Sequence, residues 1–124
     1  MIQIKKTWNS FQYAFQGIKA TAKAENNFRF HLLATLVVVA GGLWVKLSRL
    51  EWCAILICIG LVLCCEMINT AIEQLVDFVS PQRNQKAGAI KDIAAGVVLV
   101  ATGTAVVTGL LIFWPYLLVF LKFQ

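Results

Sequence analysis

Three long apolar stretches, separated by short polar clusters, dominate the chain. They cover residues 28–47, 51–78 and 90–121, allowing a residue or two at each end. The hydrocarbon core of a bilayer takes about 20 residues of helix, so each stretch is read as a membrane span. In the first, the apolar heart runs from Leu32 to Trp44 and is interrupted by Gly41-Gly42, with Arg29 and His31 at its edge. His31, taken alone, is expected to face solvent or headgroups rather than a ligand. Residues 4–22 carry a different pattern. Ile4, Trp8, Phe11, Phe15, Ile18 and Ala22 share about 80° of a helical wheel, and Lys5, Lys6, Gln12, Gln16, Lys19 and Lys23 lie off it. An apolar stripe rich in Trp and Phe, opposite a basic face, predicts a helix lying in the headgroup plane. The chain is therefore expected to be an all-α integral membrane protein, a single domain over 1–124 with one amphipathic surface helix and three transmembrane helices.

The second span ends unusually. From Glu66 to Asp77 it reads E-M-I-N-T-A-I-E-Q-L-V-D. At 100° per residue, Glu66, Asn69, Glu73 and Asp77 fall on one stripe roughly 80° wide, with Thr70 at its edge. Glu66 and Glu73 are separated by about 10 Å of helix rise. Counting about 20 residues from Trp52 puts Glu66 and Asn69 just inside the hydrocarbon and Glu73 and Asp77 just outside. A row of acids there is costly unless something cationic or wet meets it, so the stripe is read as one wall of an active site. Glu25 and Arg29, four apart at the mouth of the first span, form either a helix salt bridge or a further carboxylate at the same boundary. Val79-Ser80-Pro81 ends the helix, and the third span follows Lys91-Asp92. Gly96, Gly103 and Gly109, with Ala94, Ala95, Ala101 and Ala105, give that span a close-packing surface for neighbouring helices.

Composition agrees with a membrane protein. The chain has 124 residues, of which 60% are hydrophobic, and a mean hydropathy of +0.77. The net charge of +5 comes from basic clusters at Lys5–Arg29 and Arg83–Lys91. That distribution suits an anionic membrane surface or a phosphate substrate, and no aromatic-basic pattern for reading nucleic acid is present. The positive-inside rule places the N-terminus and the acidic stripe in the cytoplasm. Residues 1–27 lack the continuous apolar region of a cleavable signal, so insertion is expected to use the spans themselves. Cys53, Cys58, Cys64 and Cys65 all lie in one apolar run and read as small packing residues. Three spans do not enclose a deep polar site by themselves, so a homo-oligomer with sites between subunits is expected.

Hard oxygen ligands that leave positions open suit Mg²⁺ carrying a polyphosphate, and a nearby lysine neutralises phosphate charge. Glu66, the deepest acid, is placed to take a proton from a lipid hydroxyl. Neither a P-loop nor a protein-kinase motif set is present. On the residues alone, two other readings stay open. One is a small transporter whose acids relay protons or cations. The other is a structural subunit whose acids pair with Arg29, Arg83, Lys86 or Lys91.

The sequence E-x-x-N-T-A-I-E-x-x-x-D at Glu66–Asp77, followed by Lys91-Asp92-x-Ala94-Ala95-Gly96, resembles the prokaryotic diacylglycerol kinase family. Tyr13-Ala14-Phe15-x-Gly17-Ile18 and Glu25-x-Asn27-Phe28-Arg29 resemble it too, so the likeness covers nearly the whole chain. The resemblance implies a homotrimeric membrane kinase that moves the γ-phosphate of MgATP to a lipid alcohol. It implies Glu66 as general base, Glu25 and Glu73 as carboxylates holding the divalent metal on ATP, and Asn69 as a supporting amide. Lys91, Asp92, Tyr13 and Gly17 match nucleotide contacts, Arg29 a nearby basic position, and Asp77 a supporting one. Some relatives place an arginine where Lys6 stands, and a lysine does not make the bidentate phosphate contact. Of the family's two substrate branches, diacylglycerol and undecaprenol, the stretches Phe11–Ile18 and Asn27–Leu32 resemble the undecaprenol branch more closely.

Overall fold

The computed structural model describes residues 1–124 and contains helices only. Helix α1 spans Ile4–Ala24, α2 Asn26–Val45, α3 Arg49–Val79 and α4 Gln85–Lys122. The last three are long and apolar enough to cross a membrane. At 1.5 Å per residue, the 31 residues of α3 reach about 46 Å, well beyond a ~30 Å hydrocarbon core. One end of α3 must therefore stand in the headgroup layer or in water.

The chain breaks are set by local chemistry. Glu25 adopts an extended backbone (φ −111°, ψ 115°) that separates α1 from α2. The Arg29 guanidinium then reaches back, and its Nη1 donates to the carbonyls of Lys23 (2.9 Å) and Ala22 (3.3 Å). A cation thus closes the C-terminus of α1, where the helix dipole favours it. The salt bridge considered for Glu25 and Arg29 does not form, because the guanidinium is engaged by these carbonyls.

The turn between α2 and α3 is tight. Lys46 takes a left-handed conformation (φ 59°), and the Leu47 amide donates to the Gly42 carbonyl at 3.1 Å. Ser48 then caps α3 in a reciprocal box with Glu51. The same Glu51 carboxylate accepts a 2.6 Å hydrogen bond from the Tyr116 hydroxyl, tying the far end of α4 to the start of α3. Asn84 opens α4 by accepting from the Lys86 and Ala87 amides, so the helix starts upstream of the apolar stretch. Pro115 lies inside α4 without ending it.

Packing within the chain is sparse. Ten of 124 residues are buried, among them Phe28 on α2, Ile55, Val62, Glu66 and Thr70 on α3, and Ala94 and Ala101 on α4. From the small-residue surface expected on α4, the α3–α4 contact buries Ala94 and Ala101. Added Cβ atoms at Gly96, Gly103 and Gly109 would meet nothing within 4 Å. Gly96 and Gly103 lie roughly opposite Ala94 and Ala101 on the wheel and point away from α3, whereas Gly109 lines a groove between α2, α3 and α4. On α1, Ile4, Trp8, Phe11, Phe15 and Ile18 are all exposed, as an amphipathic helix resting on a bilayer requires. All four cysteines are free thiols.

Gly42 is the exception among the glycines. A Cβ there would sit 2.8 Å from both Leu47 Cδ1 and the Trp52 ring. Overpacking of this kind costs roughly 1–3 kcal/mol, more than the ~1 kcal/mol an alanine gains in helix propensity. Gly42→Ala is therefore expected to lower the melting temperature in detergent. A variant melting at or above the parental value would show that the turn does not need the space.

Candidate active site

The acidic stripe continues the packing face of α3. Ile55, Val62, Glu66, Asn69 and Glu73 lie within about 60° on the wheel, so the register that buries the apolar positions carries the polar ones in with them. Exposure rises along the stripe. Glu66 is only 3% exposed, Asn69 and Glu73 are half-buried, and Asp77 is exposed.

Each polar group has a distinct partner. Glu66 Oε1 lies 3.1 Å from Nε2 of His31, which comes from α2. The Thr70 hydroxyl donates to the Glu66 backbone carbonyl at 3.0 Å, so it satisfies itself without occupying the carboxylate. Asn69 Nδ2 donates to Glu73 Oε1 at 3.3 Å, and Asn69 Oδ1 is buried with no partner. The Glu73 carboxylate accepts only, so it fixes which end of the amide faces it. Lys91 on α4 donates to and pairs with Asp77 on α3. No arginine pairs with any of the acids.

The remaining expected site residues are more scattered. Glu25 is half-buried at the α1–α2 break, and Asp92 is exposed at the start of α4. Lys6, Tyr13 and Gly17 are exposed on α1, within about 40° of each other and opposite its apolar stripe. An added Cβ at Gly17 would meet nothing. Nowhere in the chain do three or more His, Cys, Asp or Glu side chains converge on a possible metal position. Glu25 and Glu73 therefore do not join a third such ligand within one subunit.

His31 is the residue that sequence reasoning misplaced. It is not turned to solvent but is held against Glu66. A signal was present: His31 shares about 60° of the α2 wheel with Phe28, Thr35 and Gly42, and Phe28 and Gly42 are buried. Beside it, an apolar groove of about 400 Å³ opens between α2, α3 and α4, lined by Phe30, Ile59, Val62, Ala105 and Phe113 among others. Its polar end is at His31.

Comparison with known proteins bears directly on this arrangement. The prokaryotic diacylglycerol kinase family model matches residues 12–113. The chain belongs to that family. It is a lipid kinase, and its three apolar helices make it a multi-pass membrane protein that carries out ATP-dependent phosphotransfer. It is 41% identical over 115 residues to a Bacillus subtilis protein called undecaprenol kinase, covering 93% of this chain and 94% of that one. A Synechocystis protein called diacylglycerol kinase is 33% identical over 88% of this chain, which spans 63% of that relative's length. An Escherichia coli diacylglycerol kinase is 28% identical over 84% of this chain and 85% of its own.

The Lys91–Asp77 pair is solvent-exposed, with Asp77 63% exposed, so it adds little to stability. Asp77→Asn is expected to change unfolding free energy by less than about 0.5 kcal/mol. If Asp77 aims Lys91, the same variant raises KM for ATP while leaving the melting temperature in place. A large loss of stability would instead make the pair a structural clamp.

Proposed function

We propose that the protein transfers the γ-phosphate of ATP to undecaprenol at the cytoplasmic face of the plasma membrane, as a homotrimer that uses Mg²⁺. The observation that carries the mechanism is the buried Glu66 carboxylate, free of any lysine or arginine, at the inner end of an exposure gradient. Identity supports the lipid. The relative named undecaprenol kinase shares 41% with this chain, and those named diacylglycerol kinase share 33% and 28%.

Glu66 removes the proton from the lipid alcohol. The alcohol oxygen forms its bond to the γ-phosphorus as the bond from that phosphorus to the β–γ bridging oxygen breaks. The electron pair leaves on ADP, and the proton stays on Glu66 until water takes it. Phosphoryl transfer asks for little more than positioning and charge compensation. Lys91, aimed by Asp77, offers a cation to the phosphates. Asp92, Tyr13 and Gly17 line the approach to the nucleotide, and Lys6 adds positive charge on the same face of α1. Arg29 keeps α1 docked beside α2 by holding its last carbonyls. The groove beneath His31 offers room for an apolar chain.

The donor set fits a divalent cation. Glu25 and Glu73 are carboxylates without cationic partners, and one or two carboxylates plus substrate phosphates is how Mg²⁺ is usually held. The orphaned acceptor at Asn69 adds an oxygen to this surface. When bound with ATP, Mg²⁺ would neutralise phosphate charge. Basic residues concentrated in α1 and in the 83–91 segment support the cytoplasmic orientation. Sparse burial and the outward-facing Gly96 and Gly103 on α4 support assembly with neighbouring subunits.

Purified protein given labelled ATP and Mg²⁺, with undecaprenol and diacylglycerol in separate micelles, is expected to label undecaprenol at the higher kcat/KM. Glu66→Gln should assemble normally and lose at least 100-fold in kcat, the scale of general-base catalysis. Preference for diacylglycerol would reverse the lipid assignment, and a fully active Glu66→Gln would remove the base. A second test addresses shared sites. Glu25→Gln and Glu66→Gln, each inactive alone, should recover activity when co-assembled if Glu25 and Glu66 of one site come from different subunits. Failure of mixed trimers to recover would place both acids in one chain.

A further inference from the structure

The Glu66 carboxylate has a single side-chain partner, and it is an imidazole from another helix. His31 Nε2 lies 3.1 Å from Glu66 Oε1, within hydrogen-bond range. A carboxylate only accepts, so the ring donates through Nε2, whether it is neutral or cationic. His31 is itself held. Its side chain is 16% exposed, the Phe30 ring meets it edge-on, and the Thr35 hydroxyl donates to its backbone carbonyl at 2.8 Å. No other charged group competes for the pair. On α4, Lys91 is engaged by Asp77, and no α1 lysine lies within ion-pair distance of Glu66.

We propose that His31 is a positioning residue for phosphoryl transfer. It fixes the Glu66 carboxylate by one oxygen and so presents the other to the lipid alcohol. The argument rests on Glu66 being the base. A buried carboxylate on a flexible glutamate stem has several rotamers, and only one aims its free oxygen productively. An error of about 1 Å in such a placement costs on the order of 100-fold in rate. The donor from α2 removes that freedom and also offsets part of the cost of burying the charge. His31 acts through Glu66 and does not reach the nucleotide on this reading, so its loss falls on turnover rather than on ATP binding.

The test compares two variants of similar bulk in the full assembled protein. His31→Leu keeps the packing and removes the donor. His31→Gln keeps a donor near the position of Nε2. The expected result is a fall in kcat of roughly 10- to 100-fold for His31→Leu, with KM for ATP within twofold of parental. His31→Gln is expected to restore kcat to within about fivefold, from the same reasoning on placement. Parental kcat in His31→Leu would overturn the proposal, as would equal losses in both variants, which mark a packing role. If His31→Leu does not assemble, His31→Gln decides alone: near-parental kcat supports the donor role, and a deep loss refutes it. Glu66→Gln on the parental background separately reports whether Glu66 is the base, so failure of that reading is distinguishable from failure of this one.

Discussion

A carboxylate buried between apolar helices is the constraint around which this chain is arranged. Removing an ionised group from water is unfavourable by several kcal/mol unless hydrogen bonds replace the lost hydration. Glu66 gets that replacement from His31, and the two sit on different helices. The contact therefore requires α2 to lie against α3 at a fixed height and rotation. Both ends of the helix pair enforce this. At one end the left-handed Lys46, the Gly42 contact with Trp52 and the Ser48–Glu51 box set the turn. Toward the other, Phe28 is the largest fully buried side chain, one helical turn from His31.

Much of this was legible in the residues. Apolar runs of membrane length and the wheel of α1 define the helices, since each follows from the local period and length. The acidic stripe was legible for the same reason: positions 66, 69, 73 and 77 share a face whatever packs against them. What sequence could not supply was the partner across the gap. The pairing of His31 with Glu66, of Asp77 with Lys91 and of Tyr116 with Glu51 depends on how two helices are set beside each other. Periodicity within one helix is silent on that. Arg29 illustrates the same limit. The four-residue spacing to Glu25 suggests a helical ion pair, but the chain breaks at Glu25, and the guanidinium finds carbonyls of α1 instead.

The glycines of α4 make a related point from the other side. Gly96 and Gly103 mark a surface that permits close approach, yet α3 takes the opposite, alanine face, led by Ala94 and Ala101. Composition alone cannot tell which of two small-residue faces meets which neighbour. The hydroxyls of Thr21, Thr35, Thr70 and Thr104 each bond a carbonyl one turn back, whereas the buried Thr102 hydroxyl has no partner. The surface left over is therefore selective, with one face of α4 used within the chain and another kept apart from it.

The gradient of exposure along α3 has its own physical logic. A kinase acting on a lipid must join two substrates with no common solvent. The proton acceptor has to meet an alcohol whose chain stays in hydrocarbon, so it has to stand at a depth that the alcohol reaches. Phosphate charge must instead be met where water still screens it, because stripping a polyphosphate of its hydration inside a bilayer would cost more than any side chain returns. A single straight helix satisfies both demands if its functional positions recur on one face while its axis crosses the boundary. Glu66, half-buried Glu73 and exposed Asp77 with Lys91 follow that order. Shifting α3 along its axis by one turn, about 5.4 Å, would carry Glu66 into water or Asp77 and its Lys91 partner into hydrocarbon. On the proposed roles of Glu66 and Lys91, the depth of this helix, fixed by its apolar run and held by its contact with α2, is therefore a catalytic parameter as much as a structural one.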